Sequence, residues 1–585
     1  MVYFVMFRGH SIHMNLKIWR WKLGPYGLAA CGIILLNACM RFALISQGWP
    51  PANSDEGTLG LMAMHIAYRG QLPIFFYGQG YMGSLEAYVG AALFPLFGSG
   101  FLALRAGVLL LFTLFLALMY LLVSLLYDKK LALIALVLLS LGTPEILSRE
   151  MQAQADHPET PLFCTAIVLF TTGLALTASP SPPDISSQGQ AKRLILYSLW
   201  GLLVGAALWN DPLAWSYILL AGIVLFLFCH HELWLPAYIA VLLGFLVGIT
   251  PIIIYNLTAP ISQSTFSVFG FLIGYHAPVA ASSSILDKLA GAILVSLPVA
   301  TGANTVCNLQ SSQAWPLDKL TPAAFRCTLL HGGWGLALIA LWLFALFIAI
   351  RALRQPWYRP LTAELSFAER REAVIQFARV VMLGGAGLSF IVFALSAQSV
   401  TDPWNNSRYL VVLAVAVPAM FWPLWSAASV GRGRGSWSII VKRVFLCGVL
   451  LVFSATLVVG TIDTFAQLPS TQTTNRQQQA LVADLLRLHA TRIYTDYWTC
   501  DLVSFLSREA IICSVLDEQL QPGVNRYPPY TVIVDSDPNA SYVFPVGSPE
   551  STAFMKKVAR EGLHYRLVVA IHYDIYQPLS GTQKN

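Results

Sequence analysis

Residues 26–46 read YGLAACGIILLNACMRFALIS, and Asn53-Ser54-Asp55-Glu56-Gly57-Thr58-Leu59-Gly60 follow closely behind. A helix needs about 20 consecutive apolar residues to cross a bilayer. The acidic pair therefore stands just beyond one end of a first membrane helix. The pattern recurs along the chain. Apolar runs at 26–46, 101–126, 131–147, 161–178, 194–209, 213–229, 234–256, 332–350, 380–397, 409–428 and 444–462 predict about eleven transmembrane helices. The runs 194–209 and 213–229 are short and meet at Asn210-Asp211-Pro212. That break predicts a tight helical hairpin with Asp211 as its cap. The run 84–97 is too short to span and carries Glu86 and Tyr88, which predicts an interfacial helix. No small-residue cleavage site follows the first run, so a removable signal peptide is not expected.

Composition leads the same way. Of 585 residues, 56% are hydrophobic and only 11% charged, and the mean hydropathy is +0.63. A soluble domain carries about 25% charged residues. These values exclude a soluble enzyme, a disordered chain and a nucleic-acid binder. The net charge of +7 is informative by position. Basic clusters at 8–22, 129–130, 192–193, 351–379 and 432–443 fall on alternate connections. The other connections hold only Arg69, Arg149, Lys288, Lys319, Arg326 and Arg408. By the positive-inside rule the N-terminus is expected to be cytoplasmic and the chain after 463 extracytoplasmic, in a cell (plasma) membrane.

The expected architecture is an all-α polytopic membrane domain over 1–462, with outer loops 47–100 and 257–331. A small α/β extracytoplasmic domain over 463–585 completes it. In the loop 257–331 an amphipathic stretch runs near 285–297. In the tail, 531–534 and 567–571 read as strands, and 476–489 and 550–561 as helices. Residues 494–506 read as a strand, loop and helix able to close over the outer cavity. Asp496, Asp501 and Glu509 are spaced as ordinary strand and helix-end residues, so the tail is expected to support the site rather than perform chemistry. Nine cysteines form no CxxC pair and no zinc-like Cys/His spacing. Cys307 and Cys327 share one outer loop and Cys500 and Cys513 share the tail, so an oxidising compartment permits one disulfide in each.

Asp55 and Glu56 are the candidate catalytic pair. A carboxylate held at the membrane surface can act as general base; the plain alternative is a helix cap made by Asp55 or Ser54. The stretch Tyr77-Gly78-Gln79-Gly80-Tyr81-Met82-Gly83-Ser84-Leu85-Glu86 interleaves glycines and aromatics. Such a segment lets backbone approach a sugar and rings stack on it, making Tyr77, Gln79, Tyr81 and Glu86 candidate substrate contacts; a re-entrant turn is the plainer reading. Asp156, His157 and Glu159 in the next outer loop could bind a divalent metal, a phosphate or sugar hydroxyls, or form only a solvated loop. Arg408, followed by Tyr409, can bind a lipid phosphate bidentately or anchor at the interface. Arg41, one turn inside the first helix, is either functional or reaches toward Asp55.

An Asp-Glu pair directly after the first transmembrane helix resembles the first-loop motif of the GT-C membrane glycosyltransferases, in their protein O-mannosyltransferase and aminoarabinose-transferase branch. His65 and Arg69 in 60–70, the segment 77–86, Arg408-Tyr409-Leu410 and the segment 494–507 also fit that pattern. The resemblance implies a polyprenyl-phosphate-linked sugar donor, a lipid, glycan or protein acceptor, and a second acidic or polar site in the second outer loop. Asp496-Tyr497-Trp498 only faintly echoes the Trp-Trp-Asp-Tyr-Gly signature of oligosaccharyltransferases, which argues against en-bloc transfer to asparagine.

A released lipid phosphate is a weak base and needs charge neutralisation more than protonation. One carboxylate base on the acceptor hydroxyl then suffices, and direct displacement inverts the anomeric carbon. The expected activity is thus an inverting glycosyltransferase. A lipid-linked glycan flippase or transporter is the alternative, but it should place charges at mid-bilayer and repeat its halves. A non-catalytic membrane scaffold leaves Asp55-Glu56 and the 77–86 segment unexplained.

Overall fold

A computed structural model describes the chain except residues 1–23, 156–157, 179–186, 234, 266, 269, 271–282, 308, 310–312, 317–320, 358–365, 430–436, 571 and 580–585. Asp156 and His157 lie outside the described residues, as do the basic cluster at 8–22 and Lys319. Among the described residues, ten helices are long and apolar enough to cross a membrane. The chain is an integral membrane protein built mainly of helix.

The first half runs α1 (Pro25–Ser46), α2 (Ser54–Arg69), α3 (Leu85–Phe97), α4 (Phe101–Leu126), α5 (Lys129–Ser140), α6 (Pro144–Arg149), α7 (Glu159–Thr177), α8 (Ser187–Asn210), α9 (Trp215–Cys229) and α10 (Leu235–Thr258). The hairpin of α8 and α9 turns at Asp211, whose Oδ1 accepts the Leu213 N–H at 2.8 Å, as expected of a cap. The short run 84–97 forms α3, at 13 residues too short to span.

The run 131–147 departs from expectation. It is not one span but a 12-residue helix and a six-residue helix. Thr143 caps α6 and Pro144 opens it, so Gly142-Thr143-Pro144 breaks the helix. The pair still traverses the bundle. Asp128, just before α5, accepts the Trp425 indole N–H at 3.3 Å. Arg149, at the end of α6, donates to Ser407 Oγ at 2.7 Å. Ser407 and Trp425 lie on one continuous helical rod, about 27 Å apart or more along its axis.

α8 and α10 approach closely through Gly201, Gly205, Gly244 and Gly248. A Cβ at Gly244 would collide with the Ser198 carbonyl, and one at Gly201 with that of Val241. Two small-xxx-small faces thus let the backbones touch. The second half adds α11 (Pro322–Trp357) and α12 (Phe367–Leu395). A 3₁₀ stretch, Asn405–Ala416, leads into α13 (Val417–Ser429), and α14 (Trp437–Ala466) follows. The amphipathic stretch near 285–297 is helical, with a π-helical turn at Ala292–Ser296.

The tail follows as α15 (Leu468–Arg487), β1 (Arg492–Thr495), α16 (Tyr497–Leu506), β2 (Ile512–Val515), α17 (Pro528–Asp535), β3 (Ser541–Pro545), α18 (Pro549–Glu561), β4 (Tyr565–Ala570) and β5 (Tyr573–Pro578). Its sheet has the order β2-β1-β3-β5-β4. β2, β1 and β3 run parallel, and β5 and β4 pair antiparallel. Residues 531–534, expected as a strand, belong to helix α17. Pro528-Pro529 supply a preset helix start, and the short apolar run makes one helical face. The cysteine pairs Cys307–Cys327 and Cys500–Cys513 are both bonded, with Cα atoms 5.6 and 5.4 Å apart.

Candidate active site

The site grows from the first turn of α2. The cap is Asn53, not Asp55 or Ser54: its side chain accepts the Glu56 N–H at 2.9 Å. Asp55 and Glu56 are thereby released from capping. Adjacent residues on a helix point about 100° apart, and the two acids part accordingly.

Glu56 turns into the bundle and is fully buried. Its Oε1 accepts from Arg105 Nε at 2.7 Å and its Oε2 from Arg105 Nη2 at 2.6 Å. Gln152 Nε2 adds a third bond at 3.2 Å. Both oxygens are thus occupied by protein. Asp55 turns the other way, toward the tail. Its Oδ1 accepts from the Tyr497 hydroxyl and from Arg526 Nη2 at 3.2 Å. Among the described residues nothing hydrogen-bonds Oδ2. The Tyr497 hydroxyl in turn accepts from Arg526 Nε at 2.9 Å and Nη2 at 2.6 Å. Burial, and then the Asp55 charge, push the Tyr497 phenol well above its usual range, so it keeps its proton. Gln79, with its amide oxygen turned to the guanidinium, accepts from Arg526 Nη1 at 2.8 Å. The Arg526 guanidinium lies 4.9 Å from the Phe76 ring centre.

α16 packs on α2 with almost no space between. A Cβ at Gly57 would sit 2.6 Å from the Asp501 carbonyl, and one at Gly60 2.6 Å from the Phe505 ring. Asp501 accepts from Thr58 Oγ1 at 2.6 Å, and burial pushes its carboxyl up to about 6. Glu509 accepts from Arg69 at 2.5 Å and lies 3.0 Å from His65 Nε2. Burial opposes its charge, but hydrogen bonds from His65 and Tyr530 outweigh that and hold Glu509 down at about 2. These two acids, expected as ordinary element-end residues, instead bind the tail to α2. Asp496 keeps the expected role, capping α16 through the Trp498 N–H at 2.9 Å.

Tyr77 joins this second cluster. Its hydroxyl meets His65 Nδ1 at 2.8 Å, and its ring lies 4.9 Å from that of Tyr527. Tyr81 sits half-buried in the turn closed by the Phe75–Gly83 bridge. Glu86 is buried at the start of α3, where its Oε2 accepts the Ala155 N–H at 2.9 Å. Glu159 is buried as the first residue of α7. Arg41 does not reach Asp55; it donates to Glu150 at 2.6 Å and stacks on Phe112. Glu150 is part-buried and stands on the second loop, 109 positions along the chain from Arg41.

The segment 149–155 stitches these pieces together. Arg149 meets Ser407, Glu150 meets Arg41, Gln152 meets Glu56, and Ala155 meets Glu86. Beside Arg149 and Glu150 opens a cavity of about 290 Å³, walled by Leu138, Leu338, Trp342, Phe390, Phe421 and Phe453. Ser407 and Leu410 also line it. Arg408 follows Ser407 in the chain, with its guanidinium 5.1 Å from the Tyr409 ring centre. Two residues of chain separate Arg149 from Gln152, so their Cα atoms lie within about 11 Å of each other.

The one group with metal-like geometry among the described residues is Cys500, Asp501 and Cys513. Its two sulfurs are bonded to each other, and a disulfide offers no thiolate, so this group does not fit a metal.

No protein-family model matches the chain, and no curated protein matches its sequence. Among solved structures, ArnT from Cupriavidus metallidurans bound to undecaprenyl phosphate matches 97% of this chain and 99% of its own, at 12% identity and a TM-score of 0.53. The archaeal oligosaccharyltransferase AglB from Archaeoglobus fulgidus, in complex with an inhibitory peptide and a dolichol-phosphate, matches 94% of this chain and 74% of its own, at 13% identity and a TM-score of 0.45. The chain has the GT-C fold of ArnT.

Sequence reasoning missed Arg105, Gln152, Tyr497 and Arg526 as site residues. Arg105 carried a signal, being a cation five residues into an apolar helix. Arg526 carried none.

Proposed function

We propose that the protein is an inverting glycosyltransferase that moves a sugar from a polyprenyl-phosphate donor to an acceptor hydroxyl at the extracytoplasmic membrane face. One observation carries this reading: among the described residues Asp55 has one oxygen anchored by protein and the other without a hydrogen bond, while the segment 149–155, which contacts its neighbour Glu56 through Gln152, begins at Arg149 in the lining of an apolar cavity. The cavity takes the first isoprene units, and Arg149 and Arg408 neutralise the phosphate. The acceptor hydroxyl donates to Asp55 Oδ2. Its oxygen attacks the anomeric carbon as Asp55 takes the proton. The bond from that carbon to the phosphate oxygen breaks, and its electron pair leaves with the polyprenyl phosphate. Configuration inverts, and no acid is needed on the leaving group. Glu56 serves by fixing α2 through Arg105. Gln79 and Glu86 hold the surrounding wall, and Tyr77 the seam with the tail.

The test uses purified protein in detergent with undecaprenyl-phosphate-linked mannose, glucose, galactose and aminoarabinose, and a membrane extract as acceptor source. Release of undecaprenyl phosphate with labelled sugar in a new product supports transfer. Donor that is never consumed, but crosses the bilayer of proteoliposomes, would establish a flippase instead.

A further inference from the structure

Arg526 reaches Asp55 from the other end of the chain, and the loop that carries it is tightly built. Asp517 Oδ1 accepts the N–H groups of Gln519 and Gln521 at 2.9 and 2.8 Å. Asn525 Oδ1 accepts the Val515 N–H at 2.7 Å, tying the loop to β2 beside Arg526. The Arg526 side chain is 11% exposed and that of Asp55 18%. Every bond that Tyr497 and Arg526 make to this carboxylate falls on Oδ1.

Docking of the tail does not depend on these bonds. It is held independently by the Gly57 and Gly60 contacts with α16, by Thr58 with Asp501, and by Glu509 with His65 and Arg69. Arg526 is therefore surplus to attachment. What it does fix is rotation of the Asp55 carboxylate, and so the direction of Oδ2.

We infer that Arg526, relayed by Tyr497, is a positioning residue that aims Asp55 Oδ2 at the acceptor hydroxyl. The inference rests on the reading of Asp55 as the base. It gives the tail a part in the reaction: an arginine made more than 400 residues after Asp55 orients it. Misplacing a reacting group by about 1 Å can cost about 10²-fold in rate.

The experiment takes the full chain in detergent and the undecaprenyl-phosphate sugar that the wild type consumes. Arg526→Gln should lower kcat about 10²-fold while undecaprenyl phosphate affinity and thermal midpoint stay at wild-type values. Methylguanidinium should restore part of the lost rate, and Arg526→Lys should fall in between. Asp55→Asn runs beside them. If Asp55→Asn is inactive while Arg526→Gln keeps its kcat, the positioning role is overturned and the function stands. If Asp55→Asn is fully active, or no donor is consumed, the functional reading itself falls. Should Arg526→Gln fold poorly, Tyr497→Phe removes only the relay hydroxyl. It should lower kcat about tenfold without methylguanidinium rescue, and an unchanged kcat would overturn the inference.

Discussion

Replacing Arg105 by Met would strand a carboxylate inside the protein. Glu56 is fully buried and Arg105 is 2% exposed. The substitution keeps an unbranched stem but removes the bonds at 2.7 and 2.6 Å. Gln152 at 3.2 Å remains as a single neutral donor. Removing one partner of a buried ion pair costs about 3–5 kcal/mol. Two lost charged hydrogen bonds, at about 1.5–3 kcal/mol each, give a similar sum. Scanning fluorimetry of the purified protein should show a fall in midpoint on the order of 5 °C, with turnover falling alongside. The double change Arg105→Met with Glu56→Leu removes both charges. It should recover most of the midpoint, because an apolar pair of similar volume is often as stable as a buried ion pair. Turnover should return to within tenfold of wild type, since Glu56 acts only through α2. An unchanged midpoint in the single variant would refute the energetic reasoning. A fully stable but inactive double variant would show that the Glu56 charge takes part in the chemistry.

Asp55→Asn should lower turnover about 10²–10⁴-fold with undecaprenyl phosphate binding intact, the usual worth of a general base; near-wild-type turnover would remove Asp55 from that role. Arg149→Met should weaken undecaprenyl phosphate binding at least about tenfold, measured by isothermal titration, and an unchanged affinity would move the phosphate site elsewhere. Reporter fusions at Ser436 and Thr473 should report opposite sides of the membrane, and agreement between them would reject the orientation. Mass spectrometry of unreduced protein should recover the Cys307 and Cys327 peptides joined, and free thiols at both would contradict the bonded pair.

Much of the helical architecture was legible because bilayer spans are long and uniform in composition. The Asn210-Asp211-Pro212 turn and the 13-residue α3 follow from local chemistry alone. The break in 131–147 was legible in principle from Gly142-Thr143-Pro144, but apolar length masked it. In the tail, the run Thr531-Val532-Ile533-Val534 is β-branched and four residues long, too short for periodicity to separate strand from helix. Pro528-Pro529 held the deciding information. Asp55 was legible as an acid outside a span, yet its divergence from Glu56 depended on the cap at Asn53. Arg526 could not be found, because what gives it meaning lies across the chain.

That separation also has a consequence in time. Between Asp55 and Arg526 lie 471 positions of chain. At about 5–20 residues per second, synthesis from one to the other takes roughly 25–95 s. For most of that interval, until α16 has been made, α2 lacks the helix that will pack on it. A helix made early thus waits for a partner made late, and a ribosome that stalls before 526 leaves behind a membrane bundle whose Asp55 lacks its arginine.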